Sequence, residues 1–125
     1  MDNNRPRVLI VEDDQQLRDT LAQNFSHFGC EVLTASNGEE ALRIIEVKSI
    51  TAIVSDIQMP KMNGVQLLNY LRDKGITIPV IVMTGFSHYE EEQINDLGAM
   101  VTLQKPFSRA QIKEIVDGYI KLLVA

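Results

Sequence analysis

The sequence predicts a doubly wound α/β domain, in which helices cover both faces of a five-stranded parallel sheet. Short apolar runs recur along the whole chain, and segments with helical spacing separate them. The length of 125 residues is sufficient for one domain with a sizeable core. Strands that alternate with helices are typical of a parallel sheet built from right-handed crossovers.

The predicted strands are short runs rich in Val, Ile and Leu. The clearest is Arg7–Val11, a continuous apolar run of the kind found in strands that are buried on both faces. Similar runs follow at 31–35, 52–55, 80–83 and 100–104. Five strands connected by helices favour the flavodoxin-like sheet order 2-1-3-4-5.

Three helices are predicted between the first four strands. The first has apolar residues on one face, at Leu17, Leu21, Phe25 and Phe28. Asn37 is a candidate N-cap for the second helix, with Glu40 three residues later. The third helix is predicted over 65–74, and Gly75 is its candidate stop.

The last two of the five predicted helices differ in strength. The segment 89–97 has the weakest helical pattern, because three consecutive glutamates leave it little apolar surface. The final helix is the clearest, since Ser108 and Gln111 have the spacing of a capping box. Its apolar residues follow at helical spacing, at Ile112, Ile115, Val116, Tyr119, Ile120 and Leu123. These elements predict a single domain over 1–125, with its core over roughly residues 6–123.

Composition and charge exclude several classes of protein. The net charge of −5 argues against direct nucleic-acid binding, which needs a basic surface. No apolar run approaches the roughly 20 residues that a membrane span needs, and the first residues lack the pattern of a signal peptide. We therefore expect a cytoplasmic domain. Its single cysteine, Cys30, has no partner for an internal disulfide and is expected to be a small buried residue.

Polar residues follow the ends of four predicted strands. Glu12 and Asp13 follow the first strand, Asp56 the third, Thr84 the fourth and Lys105 the fifth. Taken singly, such residues are more often turn, cap or surface residues than catalytic ones. Because the carboxyl ends of parallel strands meet at one edge of the sheet, we expect these five to lie together, where ligands bind in such folds.

The chemistry of this set points to phosphoryl transfer. Neighbouring carboxylates repel each other unless a cation intervenes, and ligands that are all oxygens suit Mg²⁺. A carboxylate beside the ion can act as a nucleophile and form an aspartyl phosphate. Lys105 and the hydroxyl of Thr84 could then contact the phosphoryl oxygens.

Four motifs of the chain resemble the signatures of response-regulator receiver domains. They are VLIVEDD at 8–14, SDIQMPKMNG at 55–64, VMTG at 82–85 and KPF at 105–107. Their order and spacing match that family over essentially the whole chain. The resemblance implies the same doubly wound fold and a role in two-component signalling.

The resemblance also implies a role for each site residue. Asp56 would accept the phosphoryl group, and Thr84 and Lys105 would contact it. The ligands of Mg²⁺ would be Glu12, Asp13, Asp56 and the backbone carbonyl of Gln58. The donor would be a phosphohistidine on a sensor histidine kinase or phosphotransfer protein. Such a domain is not a conventional enzyme, since it catalyses its own phosphorylation and slow dephosphorylation.

The resemblance places the responding surface on the fourth helix, fifth strand and fifth helix. A downstream protein, an attached effector domain or a second copy of the chain would read this surface. One position departs from the family pattern, because Thr102 stands where the family usually has Tyr or Phe. We therefore expect the phosphorylation chemistry to survive while the signal takes another route, through the loop of Phe86 or the segment 89–97. Phe86 is either a shield of the phosphoryl group or a partly exposed loop residue.

Two enzyme classes with similar acidic motifs fit this sequence poorly. A P-loop ATPase needs a Gly-x-x-x-x-Gly-Lys-Ser/Thr loop, which the sequence lacks. A haloacid-dehalogenase-like phosphatase expects a second acid two residues after its nucleophile, where this chain has Gln58. The alternative from another class is a receiver-like docking module that is never phosphorylated, and Thr102 keeps that alternative open.

Overall fold

Five strands run parallel in one sheet, in the order second-first-third-fourth-fifth that the sequence predicts. They come from a computed structural model of the chain that describes residues 5–57, 62, 64–84, 101–104 and 108–124, with only the backbone of 101–104. The strands are β1 (Arg7–Val11), β2 (Glu31–Ala35), β3 (Ala52–Asp56), β4 (Val80–Thr84) and β5 (Val101–Gln104). The predicted fold class is therefore confirmed.

The third and fourth strands end one residue later than predicted. Asp56 pairs with Met83, and Thr84 pairs with Gln104, so both polar residues belong to the ladder. Val11, the last residue of β1, pairs with Ser55. Glu12, the residue after β1, is consequently level with Asp56, and Thr84 lies one residue further along β4, which brings the polar residues to one edge.

Four α-helices lie within the described residues. They are α1 (Gln15–His27), α2 (Gly38–Val47), α3 (Gly64–Asp73) and the C-terminal helix α4 (Arg109–Ile115). The side chain of Asn37 caps α2 as predicted, because it accepts a hydrogen bond from the backbone N–H of Glu40. Both hydrogen bonds of the capping box predicted at Ser108 and Gln111 are present. The predicted helix at 89–97 lies outside the described residues.

The C-terminal helix does not keep one regular spacing to its end. It continues through a π-helical turn at Val116–Ile120 and a 3₁₀ turn at Lys121–Leu123. A π turn inserts an extra residue and so changes which side chains face inward. This explains why Tyr119 and Leu123 are exposed although they follow the apolar spacing, whereas Ile120 is fully buried.

The apolar core forms two clusters, one on each face of the sheet. Val8 and Ile10 of β1 point into the cluster beneath α1 and the C-terminal helix. Leu9 and Val11 point into the cluster beneath α2 and α3. Because alternate residues of a strand face opposite sides, a strand covered on both faces has to be apolar throughout.

Cys30 belongs to the first of these clusters and is fully buried, as predicted. Burial raises the pKa of its thiol from 9.0 to about 11, because desolvation disfavours the thiolate. Within the part of the chain that the structure describes, no helix is both long and apolar enough to cross a membrane.

Candidate functional site

Three carboxylates converge at the carboxyl edge of the sheet. Glu12 and Asp13 follow β1, and Asp56 ends β3. Each offers one carboxylate oxygen, and these three oxygens lie within 4.8 Å of one another. Glu12 and Asp56 are buried, whereas Asp13 is exposed. The acidic residues that the sequence singled out are therefore brought together as expected.

The loop after β1 is held by hydrogen bonds of Glu12 and Asp14, the residues on either side of Asp13. The backbone N–H of Glu12 donates to the carbonyl of Ala35 at 3.0 Å, which extends the pairing of the strands. One carboxylate oxygen of Glu12 accepts a hydrogen bond from the backbone N–H of Asp14 at 3.1 Å. The carboxylate of Asp14 in turn caps α1 by accepting from the backbone N–H of Leu17 at 3.0 Å. The acidic loop is thus continuous with the start of a helix.

Arg18 is a residue near the site that the sequence analysis missed. Its Nη1 donates a hydrogen bond to the backbone carbonyl of Glu12 at 2.9 Å. Its spacing from Asp14 could have indicated this contact. A residue four positions after the N-cap lies one helical turn further on the same face of the helix. A cation at that position is therefore directed back toward the acidic loop.

The backbone around Asp56 is packed against the start of α3. The N–H of Ile57 donates to the carbonyl of Met83 at 3.0 Å, and the N–H of Gly64 donates to the carbonyl of Ile57 at the same distance. A Cβ atom on Gly64 would lie 3.0 Å from Cα of Ile57 and 3.1 Å from the carbonyl carbon of Asp56. Only glycine permits so close an approach, which is why α3 begins directly beside β3.

The start of α2 approaches the same region. The N–H of Gly38 donates to the carbonyl of Met62 at 3.1 Å. A Cβ atom at Gly38 would lie 2.7 Å from the Cβ, Cγ and carbonyl oxygen of Met62. Met62 lies between β3 and α3, so α2 is in contact with the segment that follows Asp56.

Thr84 is the last residue of β4 and is buried. Because Asp56 pairs with Met83, Thr84 lies one residue beyond the level of Asp56 on the neighbouring strand. Two predicted site residues, Gln58 and Lys105, lie outside the described residues, as does Phe86. The backbone of Thr102 pairs with Val82 in β5, and its side chain lies outside the description.

This arrangement fits a hard divalent cation. The three converging donors are all carboxylate oxygens, which are the ligands that Mg²⁺ and Ca²⁺ prefer. Carboxylates at this separation repel one another, and a cation between them removes that repulsion. The exposed face at Asp13 leaves the group accessible from solvent.

Comparison with known sequences identifies one family. The response regulator receiver domain matches residues 8–117. An alkaline phosphatase synthesis transcriptional regulatory protein of Bacillus subtilis is 29% identical over 116 residues, which are 92% of this chain and 48% of that protein. A probable transcriptional regulator of Cyanophora paradoxa is 34% identical over 97% of this chain and 51% of its own length. The chain spans about half the length of these curated relatives.

Solved structures give the same result. The receiver domain of a Francisella response regulator superposes with a TM-score of 0.88 at 30% identity, covering 94% of this chain and 98% of that one. The response regulator TrrA of Thermotoga maritima, solved in complex with Mg²⁺ and BeF, has a TM-score of 0.81 at 29% identity, covering 90% and 97%. With the receiver-domain match extending over residues 8–117, this chain belongs to the response regulator receiver domains of two-component systems.

Proposed function

We propose that this chain accepts a phosphoryl group on Asp56 in a reaction that depends on Mg²⁺, and that it thereby acts as a signalling switch. The observation that carries the proposal is the convergence of the Glu12, Asp13 and Asp56 carboxylates within 4.8 Å. Family membership supports a phospho-acceptor role for the domain. Asp56 is the acid at the end of β3, which is the central strand of the sheet.

The proposed metal ligands are the three carboxylates together with the backbone carbonyl of Gln58. A bound Mg²⁺ would supply positive charge that offsets both the acids and the incoming phosphoryl oxygens. A carboxylate oxygen of Asp56 attacks phosphorus, so that a P–O bond forms as the P–N bond to the donor histidine breaks. The leaving imidazole takes up a proton from solvent and departs as the neutral ring. Positioning and electrostatics account for most of the catalysis in such transfers.

Thr84 and Lys105 are proposed to bind the transferred group. The position of Thr84 at the end of β4, next to the acceptor strand, supports a hydrogen bond from its hydroxyl to a phosphoryl oxygen. Lys105 follows β5 in the sequence and would place a cation at the same edge. Both would stabilise negative charge that carboxylates alone repel.

The added group carries nearly two negative charges, and it would draw these two residues toward the acceptor. The resulting shift between inactive and active states is proposed to alter the surface formed by the segment 89–97, β5 and the C-terminal helix. Because Thr102 replaces the usual aromatic residue, the loop of Phe86 or the segment 89–97 is proposed to carry the signal.

The proposed donor is a sensor histidine kinase or a phosphotransfer protein in the cytoplasm. The curated relatives are transcriptional regulators about twice as long as this chain, which supports an attached effector domain as the reader. A separate downstream protein or a second copy of this chain would serve the same role. The domain itself, with its acidic net charge, is proposed to bind neither nucleic acid nor membrane.

The test measures the intact mass of the protein after incubation with Mg²⁺ and acetyl phosphate. The parent and an Asp73→Asn variant, which removes an exposed carboxylate at the end of α3, are expected to gain one phosphoryl group. Asp56→Asn is expected to gain none, and EDTA is expected to abolish the gain in the parent. A parent that gains no mass, even with phosphohistidine donors, would refute the proposal and favour the unphosphorylated docking module.

A further inference from the structure

Arg18 connects the first helix to the acidic loop. It is half-buried in α1, and its guanidinium reaches back over six residues to the carbonyl of Glu12. Its own backbone N–H donates to the carbonyl of Asp14 at 2.8 Å, which is the first hydrogen bond of the helix. The same residue therefore fixes both ends of the loop that contains Asp13.

These contacts hold the peptide units on both sides of Asp13. On one side, the carbonyl of Glu12 accepts the hydrogen bond from Arg18 at 2.9 Å. On the other side, the N–H of Asp14 donates to the carboxylate of Glu12 at 3.1 Å. Asp13 is the exposed member of the three acids, so burial does not restrain its side chain as it does those of the other two. Its position depends on the backbone that Arg18 holds.

The charge of Arg18 adds to this effect. A guanidinium stays protonated throughout the usual pH range, and a hydrogen bond from it is stronger than one between neutral groups. This cation is held against the carbonyl of Glu12, in the loop that also carries Asp13, and the three converging carboxylates repel one another. It can reduce that repulsion without occupying the space between their oxygens.

We propose that Arg18 is a positioning residue that sets the Mg²⁺ affinity of the acidic site by holding the peptide between Glu12 and Asp13. The inference rests on the proposed function, since it assumes that these acids bind Mg²⁺. Residues that orient metal ligands without touching the metal commonly change its affinity by about 10–100-fold. Arg18 acts in this way through a backbone carbonyl.

The experiment titrates the unphosphorylated full chain with Mg²⁺ and follows its backbone amide signals by NMR. Arg18→Ala is expected to weaken Mg²⁺ binding about tenfold, and Arg18→Lys, which keeps the charge and one donor, to restore part of the loss. The matched control is Arg43→Ala, which removes the same charge from an exposed position on α2. Salt screens exposed charges, so the control is expected to stay within about twofold of the parent.

A second measurement separates positioning from general destabilisation. In Arg18→Ala, the Mg²⁺ concentration for half-maximal phosphorylation of Asp56 is expected to rise about tenfold, while the rate at saturating Mg²⁺ stays close to that of the parent. If Arg18→Ala does not fold, as judged by its amide spectrum in EDTA, Arg18→Lys and Arg18→Gln provide the comparison.

Either of two results from the variants would overturn the assignment. One is a folded Arg18 variant with the Mg²⁺ affinity of the parent, and the other is an equal loss of affinity in Arg43→Ala. A parent that binds no Mg²⁺ would also overturn it. A different outcome separates the two proposals. If the parent binds Mg²⁺ and Arg18→Ala weakens that binding, but the parent is never phosphorylated, the proposed function is refuted and the role of Arg18 stands.

Discussion

The close contact between Gly38 and Met62 predicts that Gly38→Ala lowers the stability of the protein. The same substitution at a helical glycine with open space around it is expected to raise the stability. Gly38 begins α2, and a Cβ atom there would lie 2.7 Å from three atoms of Met62. One of those atoms is the carbonyl oxygen that accepts the hydrogen bond from the N–H of Gly38. Backbone cannot rotate away as the end of a flexible side chain can, so Gly38→Ala has to move the segment that contains Met62.

The expected cost follows from three contributions to the free energy of unfolding. Forcing an extra methyl group into a packed site costs about 1–3 kcal/mol. Lengthening the hydrogen bond between Gly38 and Met62 costs about 0.5–1.5 kcal/mol. The better helix propensity of alanine returns at most about 1 kcal/mol. Together these contributions give an expected destabilisation of Gly38→Ala of about 0.5–4.5 kcal/mol.

Two other glycines serve as controls for this substitution. Gly118 lies in the C-terminal helical segment, and a Cβ atom at this position would meet only open space. Gly118→Ala is therefore expected to stabilise the protein by about 0.5–1 kcal/mol. Gly75 also has open space, but its φ of +75° is a left-handed conformation. Gly75→Ala is therefore expected to cost about 1–2 kcal/mol through its local backbone conformation, without a clash with any other part of the described structure.

Urea unfolding of the three variants beside the parent measures these differences. With an m-value of about 1–3 kcal/mol/M, the transition midpoint of Gly38→Ala should fall by on the order of 1 M. Mg²⁺ affinity should also weaken in Gly38→Ala and not in Gly118→Ala, because Met62 lies between Asp56 and α3. A midpoint for Gly38→Ala equal to or above that of the parent would refute the reasoning.

Three further predictions concern the thiol, a helix cap and the candidate site. Burial raises the pKa of Cys30 from 9.0 to about 11, so between these pH values the thiol ionises in the unfolded chain while it stays protonated in the folded protein. The free energy of unfolding should therefore fall by about 2–3 kcal/mol as the pH rises through this range. Urea titrations should show a smaller fall in Cys30→Ala. Ser108→Ala should lower the free energy of unfolding by about 1 kcal/mol, because the cap of α4 is lost, and an unchanged urea midpoint would contradict this. Thr84→Ala should slow the gain of phosphoryl mass on the order of 100-fold, whereas Thr84→Ser keeps its hydroxyl and should react nearly as fast as the parent.

The parts of the fold that the sequence predicts are those determined by short-range pattern. Val8 to Val11 are apolar without interruption because alternate residues enter different cores, which is what the continuous run indicates. The caps at Asn37 and Ser108 depend on partners three residues away, so the spacing alone reveals them. The acids at the strand ends meet because a parallel sheet gathers its carboxyl ends at one edge.

The parts that the sequence did not predict depend on how elements approach one another. The contact of Gly38 with Met62 joins the start of α2 to a residue between β3 and α3, and only the packed fold brings these together. The π turn at Val116–Ile120 alters the facing of residues whose spacing fits an ordinary helix. Asp14 belongs to the acidic motif at 8–14, yet its carboxylate caps α1. The sequence shows that Asp14 is suited to cap a helix. It does not show whether the carboxylate of Asp14 caps α1 or joins the acidic site.

The distribution of buried polar groups relates the stability of this domain to its proposed chemistry. Among the described residues, the buried polar side chains are Glu12, Ser55, Asp56 and Thr84, and all lie at or next to the carboxyl ends of β1, β3 and β4. The other buried side chains of the described residues are apolar, so the interior stabilises the fold while the carboxyl edge of the sheet concentrates charge that opposes folding. A cation that binds only the folded arrangement offsets this cost by mass action. We therefore expect Mg²⁺ to raise the stability of the domain by binding Glu12, Asp13 and Asp56, the same carboxylates that are proposed to hold the ion during phosphorylation.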